Sequence, residues 1–136
     1  MTQTSPAIAA ALARWHQCVA DKNMNSLREI LADDMRFHSP FLWKPKEGKD
    51  AALMILSNVV QVFEDFKYHR EMTDGTTWTL EFSARVGDLA LKGVDIIRFN
   101  EDGKIADFEV MIRPANALQA LGAEMGRRLA AQAESR

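Results

Sequence analysis

The stretch "GVDIIRFNEDGKI", residues 93–105, holds the side chain best suited to chemistry. Alternate positions from Leu91 run Leu91, Gly93, Asp95, Ile97, Phe99, so one face of the expected strand is apolar except for a single carboxyl group. A carboxylate moved into an apolar site without a partner holds its proton to higher pH. Asp95 is therefore expected to be capable of staying neutral near pH 7 and donating a hydrogen bond. The alternative is that the Trp15 N–H, Arg113 or a water pairs with it purely to hold the fold together.

Ser39, in "MRFHSP", shares a strand face with Met35 and Phe37 and is expected to line a ligand space rather than to catalyse. His38 is one residue away and faces the other side, so the two cannot form a nucleophile–base pair. It reads as a hydrogen-bonded histidine on the outer sheet or at a subunit contact. His16 lies at the edge of a helical apolar stripe and is a weak base candidate, while His69 shares a face with Lys67 and Glu71 and reads as solvated. No histidines and carboxylates recur at ligand spacing, so no metal is expected. No phosphate loop, dinucleotide fingerprint or nucleophile elbow asks for a cofactor. The single cysteine, Cys18, reads as a small buried hydrophobe.

The elements that must position these groups follow from periodicity. Ser5-Pro6 opens a helix with Ile8, Leu12, Trp15 and Val19 as its apolar stripe, and a second short helix is expected around Leu27, Ile30 and Leu31. "MRFHSP" is a strand ended by Pro40, and "KDAALMILSNVVQVFEDF" is a third helix with Leu53, Met54, Leu56, Val60 and Phe63 on its apolar positions. From residue 66 the period becomes two. "FKYHREMT", "TTWTLEFSARV", "LALKGVDIIRF" and "KIADFEVMIR" read as an antiparallel meander with tight turns at Asp74-Gly75, Gly87-Asp88 and Asp102-Gly103. Pro114 closes the last strand, and Leu118, Leu121, Met125 and Leu129 mark a C-terminal helix fraying into the polar tail "AQAESR".

Composition bounds the function. A chain of 136 residues, 47% hydrophobic, suits one domain spanning residues 1–136 that buries about two-thirds of its unfolded surface. Seventeen basic against nineteen acidic residues, with no basic block, make nucleic acid a poor partner. No window reaches the roughly 18 apolar residues of a membrane span, and the N-terminus lacks a basic stretch before its apolar run, so no membrane partner and a cytoplasmic location are expected.

Taken together, "ARWHQCVADKNMNSLREILADDMRFHSP", "GKDAA" and "GVDIIRFNEDGKIADFEV" resemble the cone-shaped α+β barrels that include nuclear transport factor 2, the ketosteroid isomerases and the SnoaL-like polyketide cyclases. The resemblance implies a strongly bent antiparallel sheet, three N-terminal helices over its concave face, a C-terminal helix, and one apolar pocket open at one end. It is closest to the isomerase branch, which implies three positions. The acid-tolerant aspartic acid falls on Asp95 and matches; the helix tyrosine falls on Trp15 and the carboxylate base on Ser39, and both depart. A serine hydroxyl without a partner base is too weak a proton acceptor for steroid isomerisation. The related epoxide hydrolases imply an arginine near the last strand with an aspartate after it; "MIRPAN" offers Arg113, but proline follows it, so the match is partial.

The resemblance thus implies a small hydrophobic ligand, with Asp95 as polar anchor or general acid, Trp15 and Ser39 as secondary contacts, and Phe37, Met54, Phe63, Phe82, Phe108, Val110 and Ile112 as the apolar wall. It is compatible with an isomerase or cyclase-type enzyme and with a non-catalytic binding or dimerisation module. On the opposite strand face Ala90, Lys92, Val94, Ile96 and Arg98 alternate, and the apolar Val94 and Ile96 suggest a homodimer through the outer sheet.

Overall fold

The computed structural model describes residues 4–134. Helix α1 (Pro6–Asp21) starts where the sequence demands: Ser5 caps it by accepting the Ile8 N–H at 3.3 Å, and Pro6 occupies the first turn. Ile8, Ala11, Leu12, Trp15 and Cys18 form its buried stripe.

The expected second helix is a single 3-10 turn, Leu27–Ile30. Leu31 already begins strand β1 (Leu31–His38), where Leu31, Met35 and Phe37 are buried. One turn between Asn25 and a strand is too short to repay the nucleation of an α-helix. Among the described residues, two α-helices therefore precede the meander. The second, α2 (Lys49–Val62), is reached through a two-residue strand, β2 (Lys46–Glu47), which folds back on β1 with Lys46 opposite Phe37.

Strands β3 (Glu64–Thr73), β4 (Thr77–Val86), β5 (Leu89–Phe99) and β6 (Ile105–Arg113) form the meander, joined at the three expected turns. The Asp102-Gly103 turn needs glycine twice over. Gly103 has φ +77, and a Cβ there would lie 2.8 Å from Ala7, so the turn seats the start of α1 against the sheet.

The sheet runs β2-β1-β6-β5-β4-β3, curved and unclosed, in an α+β arrangement. It is not antiparallel throughout. β1 lies parallel to β6, with Phe37 opposite Phe108, because α2 and most of the meander separate them and return the chain in the same direction. In the centre, Asp95 on β5 sits between Leu80 of β4 and Val110 of β6.

Helix α3 (Ala115–Glu134) packs Ala117, Leu121 and Met125 into the interior. An amide pair between buried Asn58 and exposed Gln132 fastens it to α2: Gln132 Nε2–H donates to Asn58 Oδ1 at 2.8 Å, and Asn58 Nδ2–H donates to the Met54 carbonyl at 2.8 Å. The end of the polar tail, Ser135-Arg136, lies outside the described residues. No helix among the described residues is long and apolar enough to cross a membrane.

Candidate functional site

Three elements meet at Asp95. The buried stripe of α1 brings Trp15 over the sheet, where its indole N–H donates to the Tyr68 hydroxyl at 2.9 Å. Tyr68, on β3, donates its O–H to Asp95 Oδ2 at 2.7 Å. Register places the two polar groups two strands apart, with Phe82 of β4 between their strands, edge-on to Tyr68 at 6.4 Å. Trp15 rests edge-on against Phe108 at 5.0 Å, and Phe37 packs on the same ring at 5.6 Å. Aromatic edges thus fix the indole in the direction its hydrogen bond requires.

Burial pushes the Asp95 carboxyl up to about 7, only partly offset by the hydrogen bond from Tyr68. The Tyr68 phenol is pushed well above its usual range, first by burial and then by the neighbouring carboxylate, so it keeps its proton. The bonds run one way. Trp15 spends its only donor on Tyr68 and Tyr68 spends its only proton on Asp95. Of these three, Asp95 alone retains a group for a guest: an O–H when neutral, a lone pair when ionised.

A cavity of about 330 Å³ opens beside this chain, at the small end of the range usual for ligand pockets. Trp15, Phe37, Phe63, Phe82, Phe108, Val110 and Ile112 line it, together with Asp95 and Ser39. Met54 does not. It is 40% exposed, because it lies two residues, or about 200° of helix turn, from the buried Leu56 and so faces away from the sheet. Ser39 borders the cavity but spends its oxygen locally, accepting the Phe41 and Leu42 N–H groups at 3.3 and 3.2 Å. Among the described residues lining the cavity, Asp95 is the single carboxyl group and no histidine is present.

The other histidines are engaged elsewhere: His38 with Asp107 at 3.0 Å, His16 with Glu71 at 2.8 Å, and His69 with Ser83 at 2.7 Å. His69 is exposed, as expected, and its ring also meets the Ser83 hydroxyl. Arg113 is exposed at the end of β6, and Asp95 takes its bond from Tyr68.

Sequence reading missed Tyr68 and its neighbour Phe66, which also lines the cavity. The signal was available: Phe66 and Tyr68 alternate with Lys67 and His69, a period-two pattern that turns both rings to one face. Also missed were the wall supplied by Leu121, Met125 and Leu129 of α3, which place that helix over the cavity, and the mouth residues Phe41, Leu42 and Lys46.

This arrangement, a curved sheet wrapped round an apolar cavity with helices closing it, defines an NTF2-like α+β protein. Residues 12–108 match the family model described as a SnoaL-like domain, and the chain belongs to that family. A steroid delta-isomerase from Pseudomonas aeruginosa shares 49% identity with it over 98% of this chain and 99% of that one, with a TM-score of 0.95. An uncharacterised protein with a cystatin-like fold from Silicibacter pomeroyi is 40% identical over 91% and 88% of the two chains, TM-score 0.86. An epoxide hydrolase/cyclase-like enzyme of pyran-ring formation in salinomycin shares the fold at 15% identity, covering 80% and 92%, TM-score 0.65. No curated protein matches the chain.

Proposed function

We propose that the cavity binds a small apolar carbonyl compound and that Asp95, in its neutral form, donates a hydrogen bond to the carbonyl oxygen. The observation that carries this reading is the one-way chain Trp15, Tyr68, Asp95, which leaves Asp95 as the one carboxyl group facing the hollow among the described residues, its walls mostly apolar and its lysines at Lys22 and Lys46. A donor held there stabilises negative charge as it builds on the oxygen, in surroundings where such a bond is stronger than in water. The chemistry this supports is acid-assisted isomerisation, cyclisation or hydration. The similarity to a steroid delta-isomerase favours a carbonyl ligand class.

A second reading, a binding module without catalysis, is favoured by Ser39. Its hydroxyl stands where an isomerase-like pocket would carry a base, and its oxygen is held by two backbone amides. Moving a proton between two carbon atoms needs an acceptor as well as a donor.

Calorimetric titration with a keto-steroid and with its analogue lacking the ketone separates these readings from no binding at all. The proposal expects the ketone to bind more tightly to the parent than its analogue does, and Asp95→Leu to remove the difference while Asp95→Asn, which retains a donor, keeps it. Equal affinity for both compounds in the parent would contradict it. Turnover of the ketone separates enzyme from binder: activity in the parent favours the first reading, and activity that appears only in Ser39→Asp favours the second.

We also propose that the outer sheet face mediates a homodimer. Val94 and Ile96 are half-buried there, and Val94 pairs across the strands with Met111, which is 50% exposed, making a ridge of apolar side chains among Lys92, Arg98 and Arg113.

A further inference from the structure

The loop between β1 and β2 exposes what a folded chain ordinarily hides. Phe41 is 43%, Leu42 56% and Trp43 99% exposed, in the run "SPFLWKPK". Flexibility does not explain it. Ser39 Oγ accepts two backbone N–H groups of the loop, Pro40 and Pro45 restrict its ends, and Phe41 lies against α3 at Gly122, where a Cβ would come within 3.1 Å of the ring. The loop is built to hold Leu42 and Trp43 outward.

Two further observations point to what receives them. Phe41, Leu42 and Lys46 also line the cavity, so the exposed ridge is the rim of its mouth. Residues 39–46 contain two lysines and no acid, and neither Lys44 nor Lys46 has an ion-pair partner among the described residues. Tryptophan beside lysine at the tip of a rigid loop is the composition of a contact with the headgroup layer of a bilayer, the ring at the acyl boundary and the ammonium groups at anionic phosphates. The patch is too small for a stable protein partner. An aromatic side chain buries about 150–250 Å² when wholly covered, and Phe41 and Leu42 are already about half covered, so these three residues supply less than the about 800 Å² each side of a standard interface needs.

We propose that this loop docks the cavity mouth onto an anionic lipid surface, so that an apolar ligand passes between bilayer and pocket without crossing water. The expectation of no membrane partner rested on the lack of a spanning segment, which shallow docking does not require. The purpose of docking rests on the apolar-ligand reading above, but docking itself is measured with vesicles alone, so either can fail without the other.

The test is partition of the full chain onto phosphatidylcholine vesicles with and without phosphatidylserine, read by co-sedimentation and by tryptophan emission. The expected result is binding that favours the anionic vesicles, with a blue shift quenched by brominated acyl chains. Trp43→Ser should weaken partition about tenfold or more and abolish the shift, and Lys44→Glu should weaken it by about tenfold through the lost charge attraction. An unchanged melting temperature for Trp43→Ser, whose side chain touches nothing in the fold, certifies that variant. The proposal is overturned by parent and Trp43→Ser partitioning alike. It is also overturned by an emission shift that appears without vesicles and grows with protein concentration, which would assign the loop to a second copy of the chain.

Discussion

At the scale of single residues, the site turns on a proton. Asp95 is raised from an ordinary 3.8 to about 7 in the folded chain, so between those values the native state holds a proton that the unfolded chain has released. The stability this group contributes is complete below about pH 4, declines as pH rises, and is gone once pH passes about 7. Asp95→Asn has no such slope, yet its carbonyl can still accept the Tyr68 O–H. Urea unfolding of both chains across this window should show the variant gaining on the parent as pH rises, with the difference levelling off above about 7. A constant difference would mean that Asp95 ionises normally.

Tyr68→Phe tests the middle of the chain. It removes the bond that partly lowers the Asp95 value, so the carboxyl should titrate above 7, and it strips the Trp15 N–H of its acceptor. A buried donor left unpaired costs about 1–3 kcal/mol. Both effects together, a higher titration midpoint and a stability loss of that size, separate a positioning role from simple packing. Asp95 was legible in the sequence because period-two alternation puts an acid on an apolar face. Tyr68 shows the same alternation with Phe66, but on an edge strand rich in polar residues, Lys67, His69, Arg70 and Glu71, that pattern is faint and does not say which ring reaches Asp95. Trp15 was legible as a polar contact, but its partner proved to be Tyr68 rather than a ligand or Asp95.

At the scale of elements, two glycines make opposite predictions. Gly93, in mid-strand β5, would carry a Cβ 2.5 Å from Phe82 Cζ and 2.6 Å from the Met111 carbonyl oxygen. The ring is itself packed in the core and the carbonyl belongs to the paired strand, so neither can yield cheaply. Gly93→Ala should cost about 3 kcal/mol or more. Gly126 on α3 has open space around it, so Gly126→Ala should stabilise by about 1 kcal/mol through helix propensity. Thermal unfolding of the two variants checks both signs. The three α-helices and the meander strands were legible from apolar periodicity, the 3-10 turn Leu27–Ile30 was not, and the three tight turns were legible from their Asp-Gly and Gly-Asp pairs. What periodicity does not encode is pairing partner: neither the parallel contact of β1 with β6 nor strand β2, two residues long, leaves a local trace. Met54 shows the same limit, since "LMIL" is apolar at every position and only the packing of Leu56 decides which of them faces in.

At the scale of the whole molecule, the cavity is assembled from segments far apart in sequence, with α1 and β1 on one side, α2 on another and α3 across it. The α+β class could be read from element order alone, whereas the position of α3 over the cavity depends on the Asn58–Gln132 pair, 74 residues apart, and on Leu121 and Met125, which pack on residues far from them in sequence. The outer face offers a separate prediction. If Val94 and Met111 form a dimer contact, Val94→Asp places like charges opposite each other at a two-fold axis. Sedimentation at micromolar concentration should then give two chains for the parent and one for the variant; one chain for both would remove the dimer from the account.

The most direct measurement of the central claim is the carboxyl carbon-13 shift of Asp95 followed by NMR from about pH 4 to 9, with and without a keto-steroid. The account predicts a titration near 7 in the free protein, moving upward when the ketone binds, because a hydrogen bond donated by the neutral acid favours the protonated form. A midpoint near 4, or one that the ketone leaves unmoved, would contradict it.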